Sequence, residues 1–155
     1  MTILPAQAGD VSVYHFGLVV PDLAAAVEQY SGALGFRFAK VREIPLPVLV
    51  DGKPRSVEML DTYSVDGPPY VELIEERSGS TWAADAFGMN HMGFWAKDMD
   101  VAMARLEAHG MPGRVRDTST PPRVSYHQAG TGVWIELVDH SVRDSLDAWL
   151  ATTYG

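Results

Sequence analysis

Hydrophobic and polar positions along the chain change period in a regular order. The stretch "VSVYHFGLVV" (11–20) alternates at period two, with Tyr14, Phe16 and Leu18 on one face and Val13, His15, Gly17 and Val19 on the other, as expected of a strand. The next stretch, "PDLAAAVEQYSGALG", shifts to helical spacing through Leu23, Val27, Tyr30 and Leu34, opening on Pro21-Asp22 and stopping at Gly35. Strands are expected at 36–44, 55–65 and 69–76, separated by the turn-rich stretches "PLPVLVDGK" and "VDGPP".

After a small-residue linker (77–88) the same order begins again. A strand is expected at 89–97, then a helix over 98–110 with Asp98 as N-cap and Gly110 as stop, then strands at 113–118, 122–128 and 133–139. From Ser141 the chain places Val142, Leu146, Trp149 and Leu150 on one helical face, which predicts a terminal helix over 141–151 packed on the sheet.

The two halves align residue by residue. Setting His15 over His91 also aligns Gly17 with Gly93, Asp22 with Asp98, Leu23 with Met99 and Ala26 with Ala102. Setting Glu72 over Glu136 aligns Val71 with Ile135, Leu73 with Leu137 and Ile74 with Val138, the shorter offset being absorbed by the longer "PLPVLVDGKPR" of the first half. An α+β fold follows: two tandem βαβββ modules, about 11–76 and 89–140, and a C-terminal helix, in one domain spanning 1–155.

Glu72 and Glu136 each stand between apolar neighbours in a strand, in "YVELIEE" and "GVWIELVDH". A buried carboxylate needs a proton, a cation or water, or it costs several kcal/mol. One His and one Glu recur per module, and neutral imidazole with carboxylate oxygen suits a divalent ion such as Zn, Ni, Mn, Co or Fe. Candidate metal ligands are therefore His15, Glu72, His91 and Glu136, converging if the modules pair by pseudo-twofold symmetry. Held on strands, such a set can leave positions open for water or substrate.

Composition narrows the alternatives. The chain of 155 residues has no Cys, so neither a disulfide framework nor a thiolate metal site is available. A net charge of -8 and no Lys/Arg run argue against nucleic acid as a partner. Neither a basic region followed by a long apolar run nor a segment of about 18 uncharged apolar residues is present, so a cytoplasmic protein with no membrane partner is expected.

The paired strands "HFGLVVPDL" and "HMGFWAKDM", together with "VELIE" and "IELVD", resemble the vicinal oxygen chelate superfamily, which includes glyoxalase I, methylmalonyl-CoA epimerase, extradiol dioxygenases and antibiotic-resistance proteins. The resemblance covers about residues 11–140. It implies two βαβββ modules forming a cup around one divalent metal, commonly in a homodimer, with ligands at His15, Glu72, His91 and Glu136 and a small oxygen-chelating substrate. Glyoxalase I carries His or Gln, Glu, His, Glu, which matches position by position. The epimerase carries His, Gln, His, Glu and differs at Glu72. Extradiol dioxygenases use three ligands, and a fourth carboxylate would crowd their open iron face.

This ligand pattern implies a metal-dependent isomerase, epimerase or lyase that moves a proton next to a carbonyl through a metal-stabilised enediolate. Glu72 or Glu136 would serve as both ligand and proton carrier. The alternatives are a non-catalytic ligand- or antibiotic-binding protein of the same fold and, third, an extradiol-type dioxygenase. The epimerase pattern adds a separate acidic base before the third strand, where this chain offers Asp51 and Glu58 without alignment.

Of Tyr126 and His127 only one can face the cup by alternation, and His127 is carried as a further catalytic candidate. Arg114, Arg116 and Arg123 form a local cationic group, either a site for carboxylate or phosphate or a solvated strand face. Trp82, Phe87 and Trp95 wall a pocket or belong to the core. His109 complements a helix end and His140 is expected at the surface. Segments 45–54 and 77–88 are expected to frame the pocket mouth.

Overall fold

The computed structural model describes residues 11–77 and 90–152. In chain order they form β1 (Val11–Val20), α1 (Leu23–Leu34), β2 (Arg42–Val50), β3 (Lys53–Tyr63), β4 (Tyr70–Glu75), β5 (His91–Ala96), α2 (Met99–Ala108), β6 (Gly113–Asp117), β7 (Val124–His127), β8 (Trp134–Asp139) and, after a short 3-10 turn, α3 (Arg143–Leu150). In each half the first strand lies parallel to the last, β1 beside β4 and β5 beside β8. The two sheets meet at two antiparallel seams, β1 with β5 and β2 with β6, and so close into one barrel within a single chain.

The helices form where the sequence caps them. Asp22 Oδ1 accepts the Ala25 N–H at 2.8 Å and Asp98 Oδ1 accepts the Val101 N–H at 3.0 Å, while Gly35 ends α1 with φ of 72°. Both helices pack outside the barrel. Leu23 and Ala26 of α1 bury against Phe38 and Leu73, and Met99 and Ala102 of α2 bury against Ala96 and Leu137. With Leu73 and Leu137 turned to the helices, Glu72 and Glu136 turn inward. Strands β4 and β8 are thus covered on both faces, which is why they read as nearly continuous apolar runs.

Two local departures from the sequence expectation bear on the site. Residues 36–41, expected to begin a strand, make only an isolated bridge between Phe38 and Ser64, and β2 instead runs through the segment expected at the pocket mouth. Pro45 and Pro47 read as strand breakers. They are tolerated because β6 pairs only with Val48–Val50, so the prolines sit where β2 has β3 as its one sheet neighbour. Ile44, Leu46 and Val48 alternate with them and line the interior wall.

The second departure is a bulge in β1. Val13 pairs with Phe94 and His15 with Gly93, so Tyr14 is an extra residue on the β1 side. Strict alternation puts Tyr14 and His15 on opposite faces, but the bulge brings both into the interior, each buried.

The terminal helix buries Leu146 and Leu150 against Tyr14, Tyr63, Trp95 and Val138. Trp149 donates from Nε1 to the Lys40 carbonyl at 2.9 Å, tying α3 to the segment before β2. No helix among the described residues is long and apolar enough to cross a membrane.

Candidate metal centre

The register of β1 against β5 places His15 opposite Gly93 and Gly17 opposite His91. Each imidazole lies over the glycine of the other module. A Cβ on Gly17 would fall 2.0 Å from His91 Cε1, and one on Gly93 would fall 1.9 Å from His15 Cε1. The H-x-G spacing therefore has a steric cause, since glycine at the second position leaves room for the partner module's ring.

Parallel pairing then brings the carboxylates alongside. Gly17 pairs with Glu72 and Gly93 with Glu136, so both strands of each half aim their polar side chain at one point. His15 Nε2 lies 3.0 Å from His91 Nε2, 3.2 Å from Glu72 Oε2 and 2.8 Å from Glu136 Oε2. His91 Nε2 lies 3.0 Å from Glu72 Oε2 and 3.3 Å from Glu136 Oε2. One donor atom from each of the four residues falls within 4.8 Å of every other.

These spacings suit a shared cation. Donor atoms held ~2.0–2.2 Å from one ion sit about 3 Å apart from each other. Two ring nitrogens and two carboxylate oxygens converging this closely outnumber the hydrogen bonds that two imidazoles can supply to them. Among the described residues Glu136 Oε2 has no hydrogen-bond partner, although it is buried 2.8 Å from His15 Nε2. His15 Nδ1 also lacks a partner, and its ring is held by edge contacts to Tyr14 at 4.3 Å and Tyr63 at 5.1 Å. The donor set thus fits a divalent ion coordinated by nitrogen and oxygen.

The electrostatics show what the cluster does without a cation. Burial alone would depress His91, but the close approach and charge of Glu136 and Glu72 outweigh it and raise the imidazole to about 10. His15 is raised for the same reasons, again against its burial. Burial pushes Glu136 up, yet the charge of His15 and the close approach of both imidazoles hold it down to about 2, and Glu72 is lowered likewise. Two carboxylates therefore demand two positive charges, from protons on the imidazoles or from a metal.

Around the cluster stand Tyr126 and Trp95, which the sequence had raised, and Asp61, Arg42 and Tyr63, which it had not singled out. Tyr126 Oη donates to Glu136 Oε1 at 2.8 Å, and burial together with the Glu136 charge raises the phenol well above 10, so it remains a donor. Asp61 is fully buried and takes a two-pronged bond from Arg42, Nε to Oδ1 at 2.8 Å and Nη2 to Oδ2 at 2.9 Å. Burial raises the Asp61 carboxyl to about 7, Arg42 opposing and Glu72 adding to the rise. Tyr63 pairs with Glu72 in the strand register, and Tyr14 stacks on Trp95 at 4.0 Å.

A cavity of about 250 Å³ opens above the cluster. Glu72, Glu136 and Tyr126 line it, with apolar walls from Leu46, Met59, Val115 and Val138, whereas His15 and His91 lie behind the carboxylates. Val142, Ser145 and Leu146 add to the lining, so α3 and the turn before it cover part of the opening.

His127 neither joins the cluster nor lines the cavity. It is buried with Nδ1 3.0 Å from the Met111 carbonyl and Nε2 3.1 Å from Ser125 Oγ, while its neighbour Tyr126 takes the inward position. Trp95 lines the cavity, and Trp82 and Phe87 lie outside the described residues. Arg114 pairs with Asp51 and donates to Gln128 Oε1 at 2.8 Å, and Arg116 and Arg123 are exposed. Asp51 and Glu58 are exposed and do not line the cavity. His109 Nδ1 donates to the Arg105 carbonyl at 2.8 Å at the end of α2, and His140 is exposed.

No curated protein matches the chain. Among solved structures, methylmalonyl-CoA epimerase from Mycobacterium tuberculosis is 20% identical over 86% of this chain and 91% of that one, with a TM-score of 0.57. A methylmalonyl-CoA epimerase in complex with methylmalonyl-CoA and NH4+ is 24% identical, covering 84% and 94%, with a TM-score of 0.56. A variant Streptomyces coelicolor epimerase in complex with 2-nitronate-propionyl-CoA is 25% identical, covering 84% and 94%, with a TM-score of 0.55. These share the fold. A family profile matches residues 14–126, from the bulged tyrosine of β1 to the tyrosine that holds Glu136, and the chain belongs to the glyoxalase/bleomycin resistance protein/dioxygenase superfamily.

Proposed function

We propose that the chain is a metal-dependent enzyme that moves a proton at a carbon next to a carbonyl, as an isomerase, epimerase or lyase acting on a small substrate with two neighbouring oxygens. The observation that carries this reading is the convergence of His15, Glu72, His91 and Glu136 beneath an apolar cavity. A divalent ion held by these four residues would act as a Lewis acid on the substrate oxygens and lower the pKa of the adjacent C–H.

The chain's own residues supply the rest. Apolar walls exclude water, so a charge developing on substrate is met by fixed groups rather than by solvent. Glu72 and Glu136 reach the cavity while the imidazoles stay behind them, which leaves the carboxylates as the acid–base groups nearest to a substrate C–H. Tyr126 pins Glu136 by Oε1, leaving Oε2, the oxygen turned to the cluster, to hold the metal or, once released from it, the proton. A cavity of about 250 Å³ lies just below the ~300–1,000 Å³ of pockets for drug-sized ligands and suits a small acyl or 2-oxo group.

The test is proton exchange with solvent. In deuterium oxide, the metal-loaded protein is expected to wash deuterium into the C–H beside the carbonyl of a 2-oxo compound or a small acyl thioester, followed by proton NMR. Exchange should be absent from metal-free protein and fall at least about 100-fold in Glu136→Gln. Uptake of molecular oxygen without C–H exchange would move the chain to dioxygenase chemistry, and tight binding of such compounds with neither reaction would make it a binding protein.

A further inference from the structure

Within the apolar cavity one guanidinium stands apart, and nothing in the metal centre uses it. Arg42, at the start of β2, is the one Arg or Lys among the described residues that line the cavity, in a chain of net charge -8. Three contacts hold it, the loosest being the Tyr63 ring with its centroid 5.9 Å from Cζ. Asp61 grips the edge formed by Nε and one Nη2 proton, and the Trp149 ring of α3 covers a face with Cζ 3.7 Å from the ring centroid. The remaining edge, Nη1 and the second Nη2 proton, has no hydrogen-bond partner among the described residues, and 32% of the side chain is open to solvent.

A guanidinium presents two parallel forks, and each matches a carboxylate. Here one fork is spent on Asp61, which fixes the plane, while the other stays unspent on a residue that lines the cavity. Stacking on Trp149 removes the remaining freedom, so little ordering cost is left when a second carboxylate arrives. In a cavity whose other walls are mostly aliphatic and aromatic, such a group discriminates, because a ligand that does not match it leaves desolvated N–H donors unpaired.

We propose that Arg42 recognises a carboxylate that the substrate carries beyond the two oxygens directed at the four-residue cluster, making the preferred substrate a small dicarboxylic or acyl-acid compound rather than a neutral one. This rests on the reading of the cluster as a metal site, but it concerns a different residue and a different part of the ligand. Asp61 and Trp149 act as positioning residues: neither touches the ligand, and both fix the plane of the fork.

Calorimetric titration of zinc-loaded protein with two matched probes tests the assignment. 2-Oxoglutarate carries a distal carboxylate, and 2-oxopentanoate has a methyl in its place with the same 2-oxo acid head. Wild type is expected to favour 2-oxoglutarate by about tenfold or more. Arg42→Met should reduce that preference to within about twofold, with 2-oxopentanoate affinity little changed, and Arg42→Lys should keep part of it.

Because Arg42→Met strands the buried Asp61, Arg42→Met with Asp61→Asn serves as a second variant that removes both charges, and thermal melting verifies its folding. Equal affinity of wild type for the two probes, binding of neither, or a preference surviving in a folded Arg42 variant would overturn the proposal. Zinc content measured on the same samples separates this from the metal reading. One zinc per chain with no preference refutes Arg42 alone, whereas a preference kept without bound zinc refutes the cluster alone.

Discussion

The ring of His91 fills the space that a side chain on Gly17 would need. A Cβ there would stand 2.0 Å from His91 Cε1, and the mirror relation holds between Gly93 and His15. No small rotation of the imidazole accommodates such an overlap while its Nε2 stays 3.0 Å from Glu72 Oε2. Gly17→Ala is therefore expected to displace His91, lowering affinity for added zinc at least tenfold and stability by about 1–3 kcal/mol. Isothermal titration and thermal melting check both. A control at Gly32, where an added Cβ meets nothing within 4 Å, should leave zinc affinity unchanged.

Tyr126 meets the cluster at Glu136, to which it donates at 2.8 Å, and at the His91 ring, which it packs against edge-on at 5.3 Å between centroids. Removing the hydroxyl leaves Oε1 of a buried carboxylate without its donor and frees Glu136 to swing. Tyr126→Phe is expected to fold and to lose about 10–100-fold in zinc affinity, the usual cost of deleting a group that orients a ligand. Competition with a chromophoric chelator measures the change.

The metal-free cluster should respond to pH in one direction and the loaded cluster in the other. His91 is raised to about 10 in the folded protein, so its contribution to stability is complete below the unfolded histidine value near 6.5 and is lost as pH rises through about 10. Glu136, lowered to about 2, contributes above the unfolded carboxylate value near 4.5 and loses that contribution as pH falls through about 2. Metal-free protein should accordingly become less stable between pH 6.5 and 9, by about 1.4 kcal/mol per pH unit for each proton retained. Bound zinc replaces those protons, so the loaded protein should hold or gain stability over the same range and release protons on loading, read from the buffer dependence of the calorimetric heat.

How much of this was legible beforehand depends on whether a feature is local. His15, Glu72, His91 and Glu136 could be picked out because each recurs at a matching place in two halves, and repetition survives without knowing the register. Strand β2 was displaced in the reading because Pro45 and Pro47 carry a breaker signal, and only its position with β3 as sole sheet neighbour along that stretch makes them harmless. The bulge at Tyr14 has no sequence mark, so alternation turned that side chain outward. Between Tyr126 and His127 the pattern offered no choice, since which face of β7 looks inward is decided by its pairing with β8. Arg42, Asp61 and Trp149 meet from distant parts of the chain, and no spacing rule joins them.

Metal content after reconstitution tests the central claim most directly. Wild-type protein loaded with zinc, nickel or manganese and dialysed against metal-free buffer should retain about one equivalent per chain, and a Glu72→Gln, Glu136→Gln double variant should retain almost none. A wild-type protein that keeps fewer than about 0.2 equivalents of every divalent ion tried, or a double variant that keeps as much as wild type, would contradict a metal site at His15, Glu72, His91 and Glu136.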